Sequence, residues 1–219
     1  KIRDVNKVEV QKVRRVALAS FSFVQPQAST VLGAGGPDMQ THESEEVTAC
    51  WNEVASTLKQ NMRWNVLPAE QMVASAAYKK VYETKMKGWQ TNKVPHQGSL
   101  FLVTGVMDAQ SLRRMKPSER DLLMDALKVD ALLETQVNIA FASSGVSVMG
   151  IGPRYPQATI NLWMYKRGVE APVWFDGRMV GEASKKSVGA TGYFDPSEVT
   201  HLGRLSAKSA FEKIDLKLE

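Results

Sequence analysis

Side chains that could do chemistry occur throughout this chain, but their spacing argues for packing and turns. His42, His96 and His201 could offer imidazole to a metal, yet none lies at helical spacing from another or from a carboxylate pair. Gly33, Gly35 and Gly36 invite a phosphate cradle of bare backbone amides. No Lys-Ser/Thr follows them, and they stand well past the end of the preceding apolar run, so a plain loop is expected. Gly145, Gly150 and Gly152 precede a strand pattern and not a helix. Ser143-Ser144-Gly145 lacks the Gly-x-Ser-x-Gly elbow that would present a nucleophile. Cys50 shares a stripe with Val47, Trp51, Val54 and Leu58, which places the thiol in a core. Asp121, Asp125 and Asp130 could form an acid cluster, although carboxylates so placed usually sit in water. No catalytic, cofactor-binding or metal-binding residue is assigned on these grounds, and no cofactor is expected.

The remaining candidates are aromatic. Ala158–Tyr165 and Val173–Val180 alternate with a period of two and flank Lys166-Arg167-Gly168-Val169-Glu170, the pattern of a hairpin. Trp163 and Trp174 are expected to face each other across it, a pairing that most often stabilises the sheet. If exposed, Trp163, Tyr165, Arg167 and Trp174 would mark an interaction surface.

The elements that must position these residues follow from periodicity. Residues 5–24, with Val5, Val8, Val10 and Val13 leading into Val16-Ala17-Leu18-Ala19-Ser20-Phe21-Ser22-Phe23, read as a central strand buried on both faces. Residues 25–40 read as a long Gly/Pro-rich loop. A helix capped by Thr41 or Ser44 follows, then a short strand Trp64–Leu67 and a helix from Pro68 to about Met86. Leu100–Val103 is too short to assign. Pro117 opens a helix through Leu127, with Leu123, Ala126 and Leu127 inward and Glu119, Arg120 and Asp125 toward water. Ala131–Phe141 alternates strictly, which implies one face on the core and one, including Glu134, in water. Residues 143–157 read as a flexible connection. The last helix starts at Asp195-Pro196, with Glu198 able to reach back to the cap, and has an apolar face of Leu202, Leu205, Ala210 and Ile214 weakened by Gly203.

The expected architecture is a single α/β domain over residues 1–219, with 1–12 as an N-terminal extension. It has a mixed sheet of about five strands and helices packed mainly on one face. With 43% hydrophobic residues the chain can bury a full core. Net charge is +5, but 28 basic and 23 acidic residues are interspersed, which favours a solvated surface over a nucleic-acid patch. A single cysteine excludes an internal disulfide. No run of about 18 apolar residues occurs, so neither a membrane span nor a signal peptide is expected within the chain. A start at Lys1 fits a processed or shortened chain whose removed part could have held an export signal or a lipid-anchor cysteine.

Val16–Phe21, Leu58–Leu67 ending in Trp64-Asn65-Val66-Leu67, and Leu127–Glu134 followed by the hairpin to Val173-Trp174-Phe175 resemble bacterial envelope lipoproteins. The types resembled are the curli-secretion lipoprotein, the penicillin-binding-protein activator lipoproteins and the amino-terminal domain of TolB, which share one α/β fold. The turn from Lys166 to Trp174 is longer than in that family and contains Pro172. The resemblance implies a TolB-like sheet, a periplasmic and outer-membrane-anchored location, and a non-enzymatic assembly or scaffolding role. The partner would be an envelope protein or further copies of the chain, and the membrane would be reached only through an anchor outside it. The alternative is a nucleic-acid-binding α/β domain.

Overall fold

The computed structural model describes residues 3–26, 37–87, 98–143, 153–188 and 194–214. The elements are β1 (Arg3–Val5), α1 (Lys7–Gln11), β2 (Arg15–Pro26), α2 (Pro37–Met62), β3 (Asn65–Val66), α3 (Ala69–Ala74), α4 (Ala76–Lys85), β4 (Gly98–Phe101), α5 (Pro117–Leu127), β5 (Ala131–Ser143), β6 (Arg154–Lys166), β7 (Trp174–Val180) and α6 (Pro196–Glu212). One mixed sheet of seven strands runs β1-β7-β6-β5-β2-β3, with β4 also paired to β2. The α/β class and mixed sheet expected from the sequence are therefore present, with short edge strands added to the expected set.

β2 is the centre because its apolar run can be covered on every side. β5 lies parallel on one flank. The other flank is shared by β3 at Arg15–Val16 and β4 at Phe23–Pro26. Between them, the Phe21 amide donates to the Met107 carbonyl at 2.8 Å. The ladder to β5 slips between Leu18 and Ser20. Two side chains donate to carbonyls at that slip. Trp51 of α2 donates to the Leu18 carbonyl at 3.3 Å, and Tyr78 of α4 donates to the Ala19 carbonyl at 2.6 Å. The Tyr78 oxygen also accepts the Met107 amide at 3.0 Å, and burial pushes its hydroxyl well above the usual tyrosine range. Tyr78→Phe would orphan both backbone groups, and urea unfolding should show a loss of about 1–3 kcal/mol. An unchanged midpoint would show that water replaces the hydroxyl.

α2 and α6 pack on each other over one sheet face. Gly203 is a point of close approach. A Cβ there would lie 2.7 Å from Ile139 Cδ1, so the glycine that looked like a weak point lets α6 settle on β5. Asp195 caps α6 through the Ser197 amide at 2.9 Å, as its sequence implies. Glu198 pairs with Lys186 instead of reaching back to the cap, and Leu205 faces outward at 44% exposure.

Other expectations are corrected. Residues 7–11 are helical, leaving Val8 exposed, so the first main strand begins at Arg15. The helix expected from Thr41 or Ser44 starts at Pro37, and the described residues of the 25–40 loop include no glycine of its cluster. The helix expected over 68–86 is two helices, because extended Ser75 (φ −66°, ψ 124°) ends α3 and opens α4. α5 has the expected bounds, and the Glu119 carboxylate accepts the Lys116 amide at 2.7 Å. Ala126 lies outward, however, and Arg120 is buried. Of the connection expected over 143–157, Ser143 ends β5 and residues 154–157 open β6, while 144–152 lie outside the described residues.

Candidate interaction surface

The hairpin forms where the alternating segments placed it, with Gly168 in the turn at φ +70°, a conformation glycine adopts without strain. Its register separates the two tryptophans. Trp174 pairs with Met164, and Trp163 pairs with Phe175. Adjacent positions on a strand point to opposite faces, so Trp163 and Trp174 do not meet. Trp174 lies on the face that also carries Met164 and Leu162, fully buried, edge-to-face with Trp64 at 6.1 Å between ring centroids. Trp163 lies on the other face, half-buried, stacked on Phe175 at 5.2 Å.

Tyr165 shares the Trp163 face but is buried, because the Arg120 guanidinium lies 4.3 Å from its ring centre. Arg120 is fixed by the Leu112, Met115 and Glu170 carbonyls at 3.2, 3.1 and 2.7 Å. Arg167 is exposed at the turn and pairs with Asp125 at 2.6 Å. Of the four expected contact residues, Trp174 and Tyr165 are structural, Arg167 helps hold the turn to α5, and only Trp163 presents apolar surface.

The aspartates expected to sit in water or to form an acid cluster each hold backbone or turn. Asp130 accepts the Arg14 and Arg15 amides, both at 2.8 Å, where β2 begins beside β5. Asp121 accepts the Gly168 amide at 3.2 Å. His201 pairs with Glu46 at 3.1 Å, and Arg204 bridges Glu46 and Glu53 at 2.5 Å each. The His42 side chain and His96 lie outside the described residues, as do Gly33, Gly35, Gly36, Gly145, Gly150 and Gly152. Cys50 is buried, and desolvation pushes its thiol well above the usual range.

The sequence missed the centre of the face. Glu134, expected in water, has no exposed surface. The segment 103–116 lies over it. Arg113 places its guanidinium Nε 2.5 Å from Glu134 Oε1 and donates its backbone amide to Oε2 at 3.2 Å. The same guanidinium sits 4.1 Å from the centre of the Trp163 ring. Asp108, also buried, is held by Arg114 at 2.7 Å and by the Ser111 hydroxyl. Burial pushes the Glu134 carboxyl up to about 7 against the pull of Arg113, and Asp108 pushes the same way as burial. Farther along the face, Gln136, Asn138, Thr159 and Asn161 remain partly exposed, a polar field beside the Trp163–Phe175 stack. At the sheet margin, β1 pairs with β7 only at Trp174–Asp176, and no described strand lies outside Gly177–Val180.

On this face Glu134 and Asp108 are each paired with an arginine, and Asp108 also with the Ser111 hydroxyl. The arrangement offers a shelf of sheet with an aromatic pair at one end and the Gly177–Val180 edge beside it. The chain matches no family model, no curated protein and no solved structure. No described helix is long and apolar enough to cross a membrane.

Proposed function

We propose that this chain is a non-enzymatic assembly or scaffolding module of the bacterial cell envelope, joining a protein partner or further copies of itself through the sheet face around Trp163. The observation that carries the reading is the half-buried Trp163–Phe175 stack on a polar sheet face. A rigid aromatic anchor within a polar surround is the composition of a binding patch. The edge of β7 at Gly177–Val180, with no described strand beside it, supplies the backbone groups through which sheets add strands. The envelope location rests on the resemblance of the β2, β3 and β5–β7 segments to envelope lipoproteins. The Arg167–Asp125 ion pair and the hydrogen bond from the Gly168 amide to Asp121 fasten the turn to α5 and make the hairpin a fixed platform, as a scaffold requires.

Sedimentation velocity over a concentration series tests the self-association arm, with partner titration as its counterpart. Trp163→Ala should weaken association about thirtyfold or more, the loss typical of an aromatic anchor worth about 2 kcal/mol or more. Association unchanged in Trp163→Ala would remove this face as the contact.

A second reading is favoured by one observation, a guanidinium and an aromatic stack on a sheet bearing amide side chains, which is how single-stranded nucleic acid is often held. Against it, Glu134 already neutralises Arg113. Binding of a labelled oligonucleotide that collapses between about 50 and 200 mM salt would favour this reading over the first.

A further inference from the structure

Arg113 links a buried acid to a surface ring. Glu134 faces Ser20 across β2 and Trp163 across β6, and receives Arg113 from the 103–116 segment. The other charged or titratable groups around it are Asp108 on that segment, held by Arg114 and Ser111, Tyr165 on β6, and Arg120 of α5 stacked on Tyr165. Of the two groups in the ion pair, the Glu134 side chain is wholly enclosed and the Arg113 side chain is 37% exposed. The carboxylate is therefore the fixed half of the pair, and the guanidinium is the half that water can take.

We propose that Arg113 is a charge-held cap on Trp163, latched by the ionised Glu134 carboxylate and released when that carboxyl takes up a proton, so that the ring is offered to a partner in mildly acidic surroundings and covered in alkaline ones. This deepens the contact reading above and rests on Trp163 being the anchor. The contact is an ion pair whose acid lies wholly out of water, where charges attract more strongly than at a wet surface, so protonation removes most of what keeps a partly hydrated arginine against the sheet. The remaining holds on the guanidinium are its position over the indole and a bond from Nη2 to the Ala109 carbonyl at 3.0 Å on its own segment, each weaker than a buried ion pair. Asp108 has its own arginine and hydroxyl and does not take over Arg113 when Glu134 is neutral. The raised proton affinity of Glu134, caused first by burial, sets the change near neutrality. The stoichiometry is one proton gained by Glu134 and one ion pair opened.

Tryptophan emission followed from pH 5 to pH 9 in the full chain tests the latch. The wild type should show one transition near pH 7. Trp163→Phe should lose it, since the reporter is gone, and Glu134→Gln should hold the acid-side signal throughout because the amide never ionises. Arg113→Lys, which keeps the charge without the planar cover, should also flatten the profile. A transition abolished in all three variants supports the latch. If sedimentation then finds a monomer at every pH, the contact reading alone is overturned. A flat wild-type profile, or a transition that persists in any variant, overturns the latch whether or not the protein associates.

Discussion

Trp174→Ala should cost about 3–5 kcal/mol and leave the protein partly unfolded at room temperature, whereas Trp163→Ala should cost about a third as much. The two residues are of one type, on neighbouring strands of one hairpin, and differ in which face the register gives them. Trp174 is wholly enclosed, pairs with Val5 of β1 and abuts Trp64. Its truncation would open a cavity too large for the strands to close, and would remove an edge-to-face partner worth about 0.5–1.5 kcal/mol beyond its buried area. β1 would lose its seat on β7, because Val5↔Trp174 is one of the three pairs that hold it. Trp163 is half-buried, and its stack on Phe175 and the guanidinium above it contribute about 1 kcal/mol together. Urea unfolding of both variants with far-ultraviolet circular dichroism checks the contrast. Equal losses would mean that Trp163 is as structural as Trp174, and the contact surface would lose its anchor.

The register that separates these residues explains what the sequence could and could not convey. The hairpin was legible because Gly168 and two alternating runs are local signals, and α5 and α6 were legible because Pro117 and Asp195-Pro196 mark their starts. Pairing Trp163 with Trp174 required the turn length to one residue, and a slip of one exchanges the faces of every side chain on the strand. Glu134 was hidden for a different reason. Alternation in β5 says which side chains share a face but not what lies over that face, and here the cover is the irregular segment 103–116, which has no period. Arg120 misled in the same way, since a charged helix position reads as solvent-facing until three carbonyls and the Tyr165 ring are found around it. Gly203 lowered the helical propensity of α6, yet the close approach of Ile139 that requires it is a tertiary fact. Repeating or capping signals conveyed the elements, and long-range covering of polar groups decided the candidate site.

Glu134→Gln should make the protein more stable above neutrality and leave it nearly unchanged in acid. Burial lifts this carboxyl from the ordinary value of 4.5 to about 7, so the folded chain holds the proton more tightly than the unfolded one. A group raised in this way contributes stability that is fully present below the unfolded value and is lost as pH rises through the folded one. At about 1.36 kcal/mol per unit, the wild type should lose about 3 kcal/mol on this account between pH 4.5 and pH 7.5. Glutamine keeps the shape and an oxygen able to accept the Arg113 backbone amide but cannot ionise or pair with the guanidinium charge, so it avoids the loss. The carboxyls of Glu9, Glu46 and Glu119 are held low and change stability in the opposite sense, but they are common to both proteins and cancel in the difference. Unfolding midpoints at pH 5, 6, 7 and 8 should therefore show a gap between variant and wild type that opens with pH and levels off above about pH 7.5. A gap that is constant, or that favours the wild type in alkali, would mean that the Arg113 ion pair outweighs the burial of Glu134, and the latch would then stay closed across the physiological range.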